Sequence, residues 1–239
     1  MKTILKNIIA ISIILFTISC DNEEELLDNN EISIIDDSYA DDLTNIDKVV
    51  FEDGSTHSIS DVLTKEELFI KYKNIQGGIS FVNDQGEMIL KTYSEDISKN
   101  KSKSDLAEYL NNDISAYLGQ KSNKFFGMMV GFEHANLGGN FWGCYYKHGS
   151  NTSTSGYGRR VFHVSSFMND RISSTLTFGQ VEREAGYVRI QVREHIGRPG
   201  YYSNYIIDRY GGLQVYHEQY YIGDHLNDKA SEVELTIFL

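Results

Sequence analysis

Cysteine and proline are almost missing from this 239-residue chain, which has two of the first and one of the second. One cysteine, Cys20, ends an apolar leader, so Cys144 is left without a disulfide partner, and a disulfide-stapled domain is excluded. Cys144 sits in the apolar run Phe141-Trp142-Gly143-Cys144-Tyr145-Tyr146, where a buried core thiol is expected rather than a nucleophile. The sole proline, Pro199, falls in a turn. Catalytic signatures are also lacking: there is no His-Glu-x-x-His, no Gly-x-Ser-x-Gly elbow, and neither Gly138-Gly139 nor Gly211-Gly212 precedes the Lys-Ser/Thr of a phosphate loop. An enzyme is therefore not expected. With a net charge of −12 and no basic stripe, nucleic acid is not an expected partner.

What the chain does have begins at its N-terminus. Lys2 and Lys6 precede the apolar stretch Ile8 to Ile18, which is too short and too abruptly ended by charge to read as a membrane span. Residues 1–19 read as a secretion signal. Its end, Phe16-Thr17-Ile18-Ser19-Cys20, resembles a bacterial lipoprotein cleavage site, which implies a lipid on Cys20 and a membrane as partner. Asp21 to Asp47 carry eleven Asp/Glu and no Lys or Arg, so residues 20–47 are expected to form a disordered acidic tether. The Asp-Asn-Glu-Glu-Glu after Cys20 resembles the acidic export signal of Bacteroidetes surface lipoproteins, implying an outer-membrane, surface-exposed location. Leader and tether account for most of the negative charge, leaving the body at about −3.

Residues 48–120 read as a small α+β region. Asp53-Gly54 marks a turn between short strands, and Ile79 to Leu90 repeats the hairpin pattern around Asp84-Gln85-Gly86. Leu63 to Ile70 suggests a short helix begun by Thr64, with a strand as the alternative. Ser104 suggests an N-cap for a helix over 105–118, with Leu106, Leu110, Ile114 and Leu118 on one face and Gly119 closing it. Residues 121–239 are strand-rich, with alternation predicting Phe126–Phe132, Phe141–Tyr146, Arg160–Val164, Thr175–Phe178, Tyr187–Glu194, Tyr201–Asp208, Leu213–Tyr220 and Val233–Leu239. The many tyrosines of 201–221 read as strand residues with one packed face, with a sugar-stacking surface as the alternative.

Within that region one oxygen-rich loop occurs twice in a repeated setting. Asn169-Asp170-Arg171-Ile172-Ser173-Ser174 recurs as Asn227-Asp228-Lys229-Ala230-Ser231-Glu232. Each copy follows a Glu-His turn, at Glu133-His134 and Glu194-His195, and each precedes an alternating strand. Asn111-Asn112-Asp113-Ile114-Ser115 has the same pattern but lies in a helical stretch and is set aside. Amide, carboxylate, hydroxyl and carbonyl oxygens in a tight loop suit Ca²⁺.

This arrangement resembles the βγ-crystallin domain, whose calcium-binding members carry Asn/Asp-Asn/Asp-x-x-Ser/Thr-Ser in each of two Greek-key motifs. The first copy matches throughout, whereas the second has Glu232 in place of the last Ser. The family's hairpin signature reads here as Phe132, Leu137 in place of an aromatic, and Gly139. The resemblance covers roughly residues 125–239. It implies a mainly β fold with a two-Greek-key β-sandwich, and Ca²⁺ held by Asn169, Asp170 and Ser173 with Asn227, Asp228 and Ser231. Carbonyls from the Glu133 and Glu194 turns would complete the shells. The role so implied is a lipid-anchored calcium module, structural or binding a protein or glycan at the surface. The alternative is a secreted effector or protease inhibitor on the same fold.

Overall fold

The alternation of the C-terminal half becomes strands throughout the computed structural model, which describes residues 45–94, 96–99, 101–119, 125–147, 157–181, 186–194, 202–207, 211–219 and 229–238. The signal sequence, Cys20, nearly all of the tether, and Asn227 and Asp228 lie outside the described residues. The described elements are β1 (Lys48–Val50), β2 (Thr56–Ser58), α1 (Ile59–Thr64), α2 (Glu66–Lys73), β3 (Gly77–Val82), β4 (Met88–Tyr93), α3 (Asp96–Lys99) and α4 (Lys103–Tyr117). They continue with β5 (Phe125–His134), β6 (Gly138–Lys147), β7 (Tyr157–His163), β8 (Ser174–Val181), β9 (Tyr187–Arg193), β10 (Tyr202–Ile207), β11 (Gly211–Gln219) and β12 (Glu232–Phe238). The protein is mainly β, and all eight strands expected in the C-terminal half are present.

Two sheets hold these strands. The larger has the order β11-β8-β5-β6-β3-β4-β1-β2, and the smaller β10-β9-β12-β7. Counted from β5, the eight C-terminal strands fall into two sets of four. In each set the fourth strand lies beside the first and the first beside the second, while the third crosses to the other set's sheet. So β7 sits in the smaller sheet next to β12, and β11 in the larger next to β8.

The larger sheet does not stop where residue 120 was expected to separate two regions. β3 pairs in parallel with β6, Gly77 opposite Phe141 through Phe81 opposite Tyr145, and carries β4, β1 and β2 outward with it. Trp142 Nε1 donates to Ser80 Oγ at 3.1 Å across this seam, and both side chains are buried. The fold also begins before residue 48. Ile46 is buried, Asp47 N donates to Met88 O at 2.8 Å, and Met88 N donates to Asp47 Oδ2 at 2.6 Å. The last residues assigned to the tether therefore belong to the folded sheet, at the start of β1, because apolar Ile46 among acids has a core to enter.

Two local starts differ from expectation. Ser102, not Ser104, caps α4, accepting from Asp105 N at 3.2 Å, so the helix starts two residues early. The two serines are equivalent in type, and only tertiary packing chooses between them. Thr64 ends α1, with its Oγ1 bonded back to Ser60 O at 2.8 Å, and α2 starts at Glu66. Asn111 to Ser115 lie within α4, as the helical pattern required. Leu106, Leu110 and Ile114 of α4 pack in one core with Phe81, Phe126, Phe132, Phe141 and Phe178 of the larger sheet. A second core joins the smaller sheet's Val188, Ile190, Val233, Leu235 and Ile237 to Met129, Trp142 and Cys144, and takes in Phe69 and Tyr72 of α2. Burial pushes the Cys144 thiol well above its ordinary range, so it is not a thiolate nucleophile.

β12 lies inside the smaller sheet and alternates strictly. Val233, Leu235 and Ile237 enter the core, whereas Glu232, Glu234 and Thr236 point the other way and are still buried. Arginines from both flanking strands account for this. Glu234 meets Arg159 at 2.7 Å, Arg193 at 2.6 Å and Arg189 at 3.3 Å.

Candidate functional site

The first oxygen-rich loop connects β7 to β8, and its path is fixed by a few polar contacts and one apolar plug. Turns carry the chain through Met168 N→Ser165 O, Asn169 N→Ser165 O and Arg171 N→Met168 O, at 2.8 to 3.1 Å. Asp170 adopts φ 56°, a left-handed conformation that aspartate and asparagine tolerate better than most residues. Ile172 is fully buried against Gly131, where an added Cβ would lie 2.7 Å from Ile172 Cδ1. That notch is why β5 has glycine at 131. Ser173 N then donates to Phe132 O at 2.8 Å, which sets the register of β8 against β5.

The turn facing this loop, between β5 and β6, is a folded hairpin. Asn136, Leu137 and Gly139 have φ of 63°, 60° and 80°. At Gly139 a Cβ would meet the His134 ring at 2.8 Å, so glycine is required twice over. Ser174 locks the hairpin: its Oγ donates to His134 O at 2.6 Å and accepts from Leu137 N at 3.0 Å. Glu133 turns to the loop, with Oε1 paired to Arg171 Nη2 and Oε2 accepting from Asn140 N at 3.4 Å. Glu133, His134, Ala135, Asp170, Arg171 and Ser173 line an open depression of about 590 Å³.

The second loop repeats the scaffold with different side chains. Ser231 N donates to Arg193 O at 3.0 Å, the counterpart of Ser173 N to Phe132 O. Lys229, at the position of Arg171, reaches Glu194 at 3.9 Å, as Arg171 reaches Glu133. Ala230, at the position of Ile172, is also buried. The last position differs most. Glu232 is a buried carboxylate 2.8 Å from Arg193, with His163 Nε2 at 3.8 Å.

The two loops meet. Ser231 Oγ donates to Asp170 Oδ1 at 3.1 Å, and Val164 N, just ahead of the first loop, donates to Ser231 O at 2.9 Å. Of the side chains expected to hold calcium, Asp170 and Ser231 are therefore in contact, and Ser173 shares a depression with Glu133 and Asp170. Asn169 is exposed, Glu194 lies beside Lys229, and Asn227 and Asp228 fall outside the described residues. The bases at the third loop position went unread in sequence. The signal was available, since Arg171 and Lys229 occupy matching places and each has a matching glutamate.

Among the described residues no group of three or more His, Cys, Asp or Glu side chains is placed to hold a metal ion. A thiolate or imidazole centre finds no support there. Among the described residues the loops bring together the Asp170 carboxylate and the Ser231 hydroxyl, with Ser173 near by, oxygen donors of the kind a hard cation takes. Among those residues no helix is long and apolar enough to cross a membrane. No family model, curated protein or solved structure matches the chain.

Proposed function

We propose that this is an exported, lipid-anchored protein whose C-terminal strands form a βγ-crystallin-type pair of Greek keys binding calcium, with a structural or surface-binding role. The observation that carries the reading is the contact between the loops, Ser231 Oγ on Asp170 Oδ1. Two loops of matching sequence pattern, each ahead of the fourth strand of its set, meet through the residue types that a shared ion would use. The exchange of third strands between sheets supports the same fold.

Asn169, Asp170 and Ser173 would act with Asn227, Asp228 and Ser231. The carboxylates of Glu133 and Glu194 face bases, so these residues would offer their carbonyl oxygens. With one carboxylate from each loop, Asp170 and Asp228, the affinity should be that of an extracellular module, about 10⁻⁴–10⁻³ M, since charge count tunes calcium sites. An ion binding only the folded protein adds about 2.7 kcal/mol at a hundredfold excess over Kd. Calcium should raise the melting temperature of the full chain, a chelator should reverse the gain, and magnesium should do far less because it keeps its water and demands an octahedron. Ser173→Arg and Ser231→Arg should each remove part of the shift, and the pair all of it. Identical melting with calcium, magnesium and chelator would refute the calcium reading. Anchoring is tested separately: Cys20→Ala should move the protein from the membrane to the soluble fraction, and unchanged membrane association would refute the lipid.

A further inference from the structure

Where the turn from α2 to β3 approaches the segment after β7, a recess of about 300 Å³ opens beside the first loop. Its polar lining is Lys73, Asn74, Gln76, Asn140, Ser166 and Arg171. Ligand cavities of this size are ordinarily lined by apolar and aromatic side chains. Here the lining holds two cations, three amides and a hydroxyl, with no Asp or Glu. A greasy ligand would strip water from these groups without replacing its hydrogen bonds. A metal ion would meet Lys73 and Arg171, and the nearest carboxylate, Glu133, is already engaged by Arg171 and by Asn140 N. An anion that also carries hydroxyls satisfies both parts of the lining.

Two of these exposed side chains, Arg171 and Asn74, are oriented by the fold. Arg171 Nη1 donates to Phe167 O at 2.9 Å and Nη2 pairs with Glu133, so the guanidinium plane is fixed from behind. These contacts use two of its five N–H groups, and no other described residue engages the rest. A fixed guanidinium edge matches a carboxylate in geometry as well as charge. Asn74 Nδ2 donates to Ile70 O at 2.8 Å, which orients its amide. The Gln76 backbone is set by Phe141 N→Gln76 O at 2.9 Å. The side-chain amides of Gln76 and Asn140 make no hydrogen bond to any described residue. An amide offers a donor beside an acceptor, and a sugar hydroxyl both gives and takes.

We propose that this recess binds a sugar acid, a polyhydroxylated ring bearing one carboxylate, with the carboxylate on Arg171 and Lys73 and the hydroxyls on the amides. The proposal rests on the surface-binding part of the role given above and needs neither calcium nor the lipid.

The test is a titration of the purified full chain, in chelator throughout, with glucuronic acid, glucose and inorganic sulfate, followed by NMR shifts. Because calcium is absent from every arm, failure of the calcium reading leaves the outcome intact. Glucuronic acid should bind at least about tenfold more tightly than glucose, which lacks the charge-assisted contact, and more tightly than sulfate, which lacks the hydroxyls. Gln76→Ala and Asn140→Ala should each weaken glucuronic acid about fivefold, the loss of one hydrogen bond, with unchanged melting temperature. Arg171→Lys should weaken it about tenfold, since the bidentate fork is lost. No glucuronic acid binding, equal affinity for glucose, equal affinity for sulfate, or variants that bind like the parent would each overturn the proposal.

Discussion

The two oxygen-rich loops share a backbone plan and differ in how each is fastened. In the first, a hydroxyl (Ser174) ties hairpin to strand and an isoleucine (Ile172) plugs the notch at Gly131. In the second, the small Ala230 replaces the plug, and Glu232 joins an arginine-rich network on the outer face of the smaller sheet. The matching amide bonds, from Ser173 N and from Ser231 N, show that register comes from the main chain. Side chains were then free to diverge. Beyond the base–glutamate pair that each loop carries, the first is held by packing and neutral hydrogen bonds and the second by the ion pair of Glu232 with Arg193, so they should respond differently to mutation and to acid.

The comparison is most open to attack at the plug. Ile172→Ala, which gives the first loop the residue that the second carries at that place, should cost about 2–4 kcal/mol. In a chain of this size that lowers the melting temperature by roughly 5–15 °C, read by calorimetry. A loss below about 0.5 kcal/mol, within the range of an ordinary surface change, would show that the notch does not fasten the loop.

Next comes the ion network. Glu234 is 3 % exposed and its three arginine partners are 25 to 51 % exposed, so the cost of breaking a buried pair must be discounted for solvent. Glu234→Ala should lose about 1–3 kcal/mol in denaturant titrations. Burial alone would raise the Glu234 carboxyl, but the hydrogen bond and charge of Arg159, with the charge of Arg193, outweigh it and hold the group below its ordinary range. A depressed folded value means that the stabilisation is complete above the unfolded value of about 4.3. It is then lost as pH falls through the lower folded value. Glu234→Gln should therefore flatten the loss of stability below about pH 4.3. Ile172→Ala should leave that slope unchanged.

Ser174→Ala should cost about 1–2 kcal/mol, because it strips partners from His134 O and Leu137 N in one change. Amide exchange in residues 134–138 should rise while that of β12 does not. The smallest effects belong to the matched pairs of base and glutamate. Arg171→Ala should lose about 0.2–1 kcal/mol. Lys229→Ala, whose ammonium lies 3.9 Å from Glu194, should lose less. A double-mutant cycle with the respective glutamate would measure each pair.

Much of this was legible in sequence, for identifiable reasons. The eight C-terminal strands announced themselves because alternation such as Val233-Glu234-Leu235-Thr236-Ile237 belongs to a strand with one packed face. Strand order was less open. The parallel β3–β6 pairing joins residues more than sixty apart and has no turn between them to read, so the preceding region looked separate. Equal candidates in local sequence, such as Ser102 and Ser104, were decided by packing. At the site, the loop composition pointed to Asp170 and Ser231, whereas their contact depends on the exchange of strands. Glu232 looked like a departure that loosened its hairpin. With the span from 195 to 200 outside the described residues, what the structure adds is its partner Arg193, one strand away across the sheet.

The exchange of β7 and β11 between the sheets has a consequence for how the protein comes apart. Each set of four strands lends one to the other's layer, so neither set can be withdrawn without breaking strand pairing in both sheets. The two halves are expected to unfold as one unit. Heat should melt them in a single transition with matching calorimetric and van't Hoff enthalpies, and a protease nick in one half should release both. A stabilising contact made at either loop should therefore raise the melting of both halves together.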